Sequence, residues 1–218
     1  DALPISHTLH RVGTRENLAH DFVFLCMPSK DINHVGSHAP LRRFFELCEK
    51  NHCVTMGDCR GGNEWYQKEK YHLNDNLEGR RQDRAVITAT FKSEEDVINM
   101  LKDLKEEDLG LSIVVSGLVD RVKECSHKAG LEPHTVEHSL GRIGRTDLLP
   151  PNEILEIATM CGHSMVSVNF INEMIEKCRK GKCTPEQAAA ELFKPCMCGI
   201  FNTDRAAMLI RTMIEAGK

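Results

Sequence analysis

The chain has 218 residues, 41% of them apolar, and a formal net charge of −4 carried on mixed signs. That length buries a full core without staples, and the charge gives no general attraction to nucleic acid. No apolar run approaches the roughly 18 residues of a membrane span, so neither nucleic acid nor membrane is an expected partner. Ten cysteines and eleven histidines are the unusual part of the composition. The cysteine content stays below that of small disulfide scaffolds, which points to reduced thiols and a cytoplasmic setting. The opening stretch lacks the charged and apolar regions of a secretory signal.

Phe22 to Met27 is a short continuous apolar run ended by Pro28, and it predicts a strand buried on both faces. A loop with His34 and His38 follows, then a helix from Pro40 to about Lys50. Cys53 to Met56 predicts a short second strand, closed by Gly57 and Asp58. The stretch from Arg60 to Arg84 is polar and charged around Trp65 and Tyr66, and reads as irregular chain. Ala85 to Phe91 puts Ala85, Ile87, Ala89 and Phe91 on one face of a period-2 strand. Ser93 then caps a helix whose apolar stripe is Val97, Ile98, Leu101 and Leu104.

Leu111 to Val115 predicts another buried strand, turning at Ser116 and Gly117 into a helix striped by Leu118, Val122, Cys125 and Ala129. Gly130 stops that helix, and Glu132 to Leu140 predicts a further strand. From Pro150 the pattern becomes helical, first to about Cys161 and then from Ser164 with Phe170, Ile171, Met174, Ile175 and Cys178 on one side. Thr184 and Gln187 have capping-box spacing with Pro185 between them. Asn202 and Thr203 cap the last helix, which Gly217 ends. Strands alternating with helices predict an α/β fold. Residues 1–149 are expected to form a mostly parallel sheet with flanking helices. Residues 150–218 are expected to form a helical C-terminal segment packed on that domain.

Parallel sheets bind ligands beyond the carboxyl ends of their strands, so by analogy four segments are expected on one rim. These are Pro28 to Pro40, Gly57 to Asn63, the Ser116–Gly117 turn, and the chain near His138. Ser116 and Gly117 present backbone N–H groups at a helix start, a site for an anion. Arg142 and Arg145 sit among glycines, where they can fork around a carboxylate or phosphate. Together these four residues form the expected cradle for a small anionic ligand, although an ordinary turn and a solvated basic loop explain them as well.

His134 and His138 are four apart, so both rings point the same way on a strand or a helix, as first ligands of zinc or iron would. Cys161 lies in Met160-Cys161-Gly162-His163, at a helix end beside an imidazole. It reads as a nucleophile with His163 as its base, as a metal ligand, or as core. Cys196 and Cys198, in Lys194-Pro195-Cys196-Met197-Cys198-Gly199, are two thiols one residue apart on an extended turn. A disulfide across so short a loop is strained. The chain has no Cys-x-x-Cys, which removes the zinc-ribbon and bacterial ferredoxin patterns.

Cys26, Cys125 and Cys178 read as packing, and Cys183 as structural or exposed. Cys48, Cys53 and Cys59, with His34 and His38, form a secondary set. The expected centre therefore draws on His134, His138, Cys161, Cys196 and Cys198 and holds an iron–sulfur cluster or a transition metal, zinc or iron. The expected activity is Lewis-acid or redox chemistry on a small anionic metabolite. A homo-oligomer is the expected assembly, and the alternatives are a metal-free thiol enzyme using Cys161 with His163 or His138 as base, and a non-catalytic ligand-binding or assembly protein whose C-terminal helices make the homo-oligomer interface.

Overall fold

A computed structural model describes residues 11–66 and 85–217. Most of the irregular stretch expected between Arg60 and Arg84 lies outside the described residues. Five strands form one sheet: β1 (Phe22–Met27), β2 (Thr55–Asp58), β3 (Gly62–Asn63), β4 (Ile87–Phe91) and β5 (Ser112–Ser116). Their order is β3-β2-β4-β1-β5, and every neighbouring pair is antiparallel. The expected mostly parallel sheet is therefore incorrect.

The cause is the way two helical crossovers interleave. Helix α2 (His38–Lys50) carries the chain from β1 to β2, and helix α3 (Glu94–Glu107) carries it from β4 to β5. Each crossover joins strands that point the same way. The slot between them is filled by a strand of the other unit: β4 lies between β2 and β1, and β1 between β4 and β5. This is the split βαβ arrangement. It also breaks up the expected rim. The ends of β1 and β2 lie at one end of the sheet, while Ser116 pairs with Val23 at the start of β1, at the other end.

The remaining helices are α1 (Arg15–Leu18), α4 (Val119–Lys128), α5 (Asn152–Ala158), α6 (Val168–Arg179), α7 (Pro185–Phe193) and α8 (Thr203–Ala216). Side-chain oxygens of Ser93, Ser167, Thr184 and Asn202 cap α3, α6, α7 and α8, and the Thr184–Gln187 capping box is complete. The strand expected over Glu132 to Leu140 is absent. Residues 132–149 run exposed, with one 3-10 turn at Thr146–Leu148. Between Glu132 and Leu140 the large apolar residues are Val136 and Leu140, both exposed and too few to hold a strand on a core.

Alternation along the strands divides the sheet into two faces. Phe22, Phe24 and Cys26 of β1 join Ile87, Ala89 and Phe91 of β4 in a core with Phe44, Phe45, Val97, Met100 and Leu101 of α2 and α3. The rings of Phe24 and Phe91 meet edge to face at 5.0 Å. Val23 and Leu25 point the other way, into a second core built from α5 to α8. The C-terminal helices thus form a third layer on the far face of the sheet. No helix among the described residues is long and apolar enough to cross a membrane.

Candidate thiol site

The far face of the sheet is not uniformly apolar. Thr55 and Thr88 are fully buried there, and Asn63 stands beside them on β3. These groups take the turn that follows α7. The Asn63 amide donates to the carbonyls of Phe193 at 3.1 Å, Lys194 at 3.2 Å and Cys196 at 2.8 Å. The Thr55 hydroxyl donates to the Gly199 carbonyl at 2.8 Å, and the Thr88 hydroxyl donates to the Cys198 carbonyl. A helix ending on a sheet leaves orphan carbonyls, and these three side chains satisfy them.

The approach is close enough to require glycine twice. A Cβ on Gly57 would lie 2.8 Å from the Cys198 carbonyl oxygen. One on Gly199, whose φ is +78°, would lie 2.6 Å from the Met56 carbonyl group. The turn is therefore pressed flat on β2, with Cys196 and Cys198 buried beneath it.

Two further cysteines meet this turn. Cys59 follows β2, its N–H bonded to the Val86 carbonyl at 2.9 Å. Cys161 follows α5 and is 2% exposed. Cys196 stands near enough to Cys161 and to Cys198, and Cys198 to Cys59, for each thiol to affect its neighbour's proton. His163 completes the group, its Nδ1 3.7 Å from the Cys198 sulfur. Four thiols and an imidazole from three chain segments thus converge between the sheet and the third layer.

Their protons are not held equally. The Cys196 thiol and the backbone N–H groups of Met165 and Val166 stabilise the Cys161 thiolate, and its pKa falls to about 6 against the effect of burial. Cys196 is pushed far up by its two thiol neighbours and by burial, and Cys59 is raised by Cys198 and by burial. Among the described residues, no three Cys, His, Asp or Glu side chains surround a common point as the ligand set of one ion.

Cys161 also belongs to the wall of a pocket of about 490 Å³, with Leu155 and Ala158 on one side and Thr159, Ser164 and Ser167 supplying hydroxyls. The other residues singled out in the sequence lie elsewhere. His134 and His138 sit in the exposed 132–149 segment, where His134 Nδ1 contacts the Thr135 hydroxyl at 3.2 Å. Arg142 donates to Asn152 at 3.2 Å, and Arg145 is held by Asp147. Ser116 and Gly117 end β5, at the opposite edge and opposite end of the sheet from Cys59.

Cys48 is buried in the first core and Cys53 is partly buried against it. His34 Nδ1 accepts from the Asp31 N–H at 2.8 Å. Of that secondary set only Cys59 reaches the thiol cluster. The apolar faces of the C-terminal helices are used against the sheet, and large exposed apolar side chains such as Leu140, Ile143 and Leu148 lie on the 132–149 segment instead. Sequence reasoning missed Asn63, Thr55 and Thr88 as the residues that seat the turn. The threonines alternating with Ile87, Ala89 and Phe91 were the available signal. Comparison with protein-family models, with curated proteins and with solved structures finds no match.

Proposed function

We propose that Cys59, Cys161, Cys196 and Cys198, with His163 beside them, bind a soft transition metal, zinc or iron, or an iron–sulfur cluster. The convergence of four cysteines from three separate segments carries this reading. Packing asks only for small apolar groups, and a dithiol needs two sulfurs. Thiol sulfur and imidazole are the donor types that zinc and iron–sulfur centres take, and binding would draw these side chains onto one point. Binding would take the sulfurs as thiolates and release their protons, so affinity would rise with pH. All ten cysteines are free, in keeping with a reducing, cytoplasmic setting.

The pocket beside Cys161 gives a small molecule access to the centre, where a bound metal would supply Lewis-acid or electron-transfer chemistry. Substitution tests the ligand assignment. Cys59→Ser, Cys161→Ser, Cys196→Ser and Cys198→Ser each lose bound metal, whereas Cys183→Ser retains it. Unchanged metal content in both Cys161→Ser and Cys196→Ser defeats the reading. The lowered pKa of Cys161 favours a second reading, in which its thiolate acts as a nucleophile without metal. That reading predicts a metal-free protein in which one thiol outruns the rest in alkylation.

A further inference from the structure

Outside the cluster, a second pair of thiols stands in contact. Cys178 lies in the last turn of α6 and Cys183 immediately precedes Thr184, the N-cap of α7. Their sulfurs are 3.2 Å apart, and the Cys178 thiol also reaches the Thr184 carbonyl at 3.4 Å. The turn between them is fixed from both sides. Gly181, at φ +68°, donates its N–H to the Cys178 carbonyl at 2.9 Å, and Lys182 donates to the Lys177 carbonyl at 2.9 Å. Beyond it the capping box sets the start of α7. Two helix ends, both capped, therefore hold the sulfurs together.

We propose that Cys178 and Cys183 form a reversible disulfide that closes the α6–α7 turn, by exchange with a small acidic disulfide such as oxidised glutathione. Cys183 is the more exposed sulfur and is attacked from solvent, whereas Cys178 is mostly buried behind it. Lys177, Arg179, Lys180 and Lys182 flank the turn and give a carboxylate-bearing disulfide a favourable approach. The Cys183 thiolate attacks one sulfur of the reagent, whose S–S bond breaks and releases one thiolate. Cys178 then gives up its proton to water and attacks the Cys183 sulfur, expelling the second thiolate. Two protein thiols become one disulfide, and the reagent disulfide is reduced to two thiols.

The separation of the sulfurs makes the second step intramolecular, so the mixed disulfide does not accumulate. Burial and the neighbouring Cys183 push the Cys178 thiol up to about 12, in keeping with its role as the resolving rather than the attacking group. The pair's bonds are to each other and to Thr184, so its oxidation is independent of metal at the other cluster.

The test treats the full chain with oxidised glutathione in the absence of oxygen, blocks free thiols with N-ethylmaleimide, and maps tryptic peptides by mass. The expected result is that the peptides holding Cys178 and Cys183 are joined, unblocked, and separated again by dithiothreitol. Cys178→Ser is expected to trap glutathione on Cys183, and Cys183→Ser to leave Cys178 free for N-ethylmaleimide under denaturing conditions. Full blocking of both residues in the treated native protein overturns the proposal. So does glutathione persisting on Cys183 while Cys178 is present, because the resolving step would then have failed.

Discussion

Cys161 is buried and Cys53 partly so, yet their thiols behave in opposite ways. Burial pushes Cys53 up to about 12, while a neighbouring thiol and two backbone N–H groups bring Cys161 down to about 6. Alkylation follows the thiolate. In metal-free protein, Cys161 labelling by iodoacetamide is expected to reach half its maximal rate near pH 6, with Cys53 silent through neutral pH. Half-maximal labelling of Cys161 near 9.0, the ordinary thiol value, contradicts the arrangement. The sign for stability follows from the same shift. A folded-state pKa below the unfolded one adds stability that is complete above pH 9.0 and lost as pH falls through 6. At this scale the sequence showed three of the four clustered thiols and His163. Cys59 was ranked apart from them because spacing reports only near neighbours, and its partner Cys198 is far along the chain. His134 and His138 looked paired for the opposite reason, since close spacing orders two rings without bringing them to a core.

The turn after α7 shows how one element is placed by another. Its carbonyls sit on Asn63, Thr55 and Thr88, and its backbone touches β2 where neither chain has a Cβ. Gly199→Ala adds a left-handed strain of about 1–2 kcal/mol and a collision with Met56 besides. Gly181→Ala carries a comparable strain, but its Cβ would meet open space. Urea unfolding is expected to show the larger loss for Gly199→Ala, together with weaker metal retention. Equal losses for the two variants remove the close approach from the account. Strand and helix placement was largely legible, because apolar periodicity and the Ser93, Thr184 and Asn202 caps are local signals. The antiparallel sheet was not. Alternating strands and helices fit both a parallel sheet and two interleaved crossovers, and the strand that fills each slot is decided by long-range packing.

The whole molecule is tied together around Asp21, just before β1. Arg205 of α8 meets its carboxylate at 2.8 Å, Arg11 pairs with the same oxygen, and Asn202 donates to the other at 3.2 Å. All of this is buried, and Arg11 also reaches the carbonyls of Met160 and Ile200. The clamp thus joins the N-terminal segment, the sheet and the third layer next to the thiol site. Asp21→Asn leaves two buried guanidinium groups without their counter-charge and is expected to cost about 3–5 kcal/mol, read from the urea midpoint. A loss below about 0.5 kcal/mol would mark the clamp as no stronger than a surface pair.

The clamp and the seated turn hold Cys161, Cys196 and Cys198 buried, with the partly buried Cys59 beside them. The central claim is that these four thiols bind a metal. Protein purified without oxygen should be assayed for metal and acid-labile sulfide, with its visible spectrum recorded beside that of Cys196→Ser. The account predicts zinc or iron in proportion to the chain, with sulfide and visible absorption if an iron–sulfur cluster is present, and loss of all of these in the variant. A metal-free, colourless protein in which all ten cysteines titrate as free thiols would contradict it.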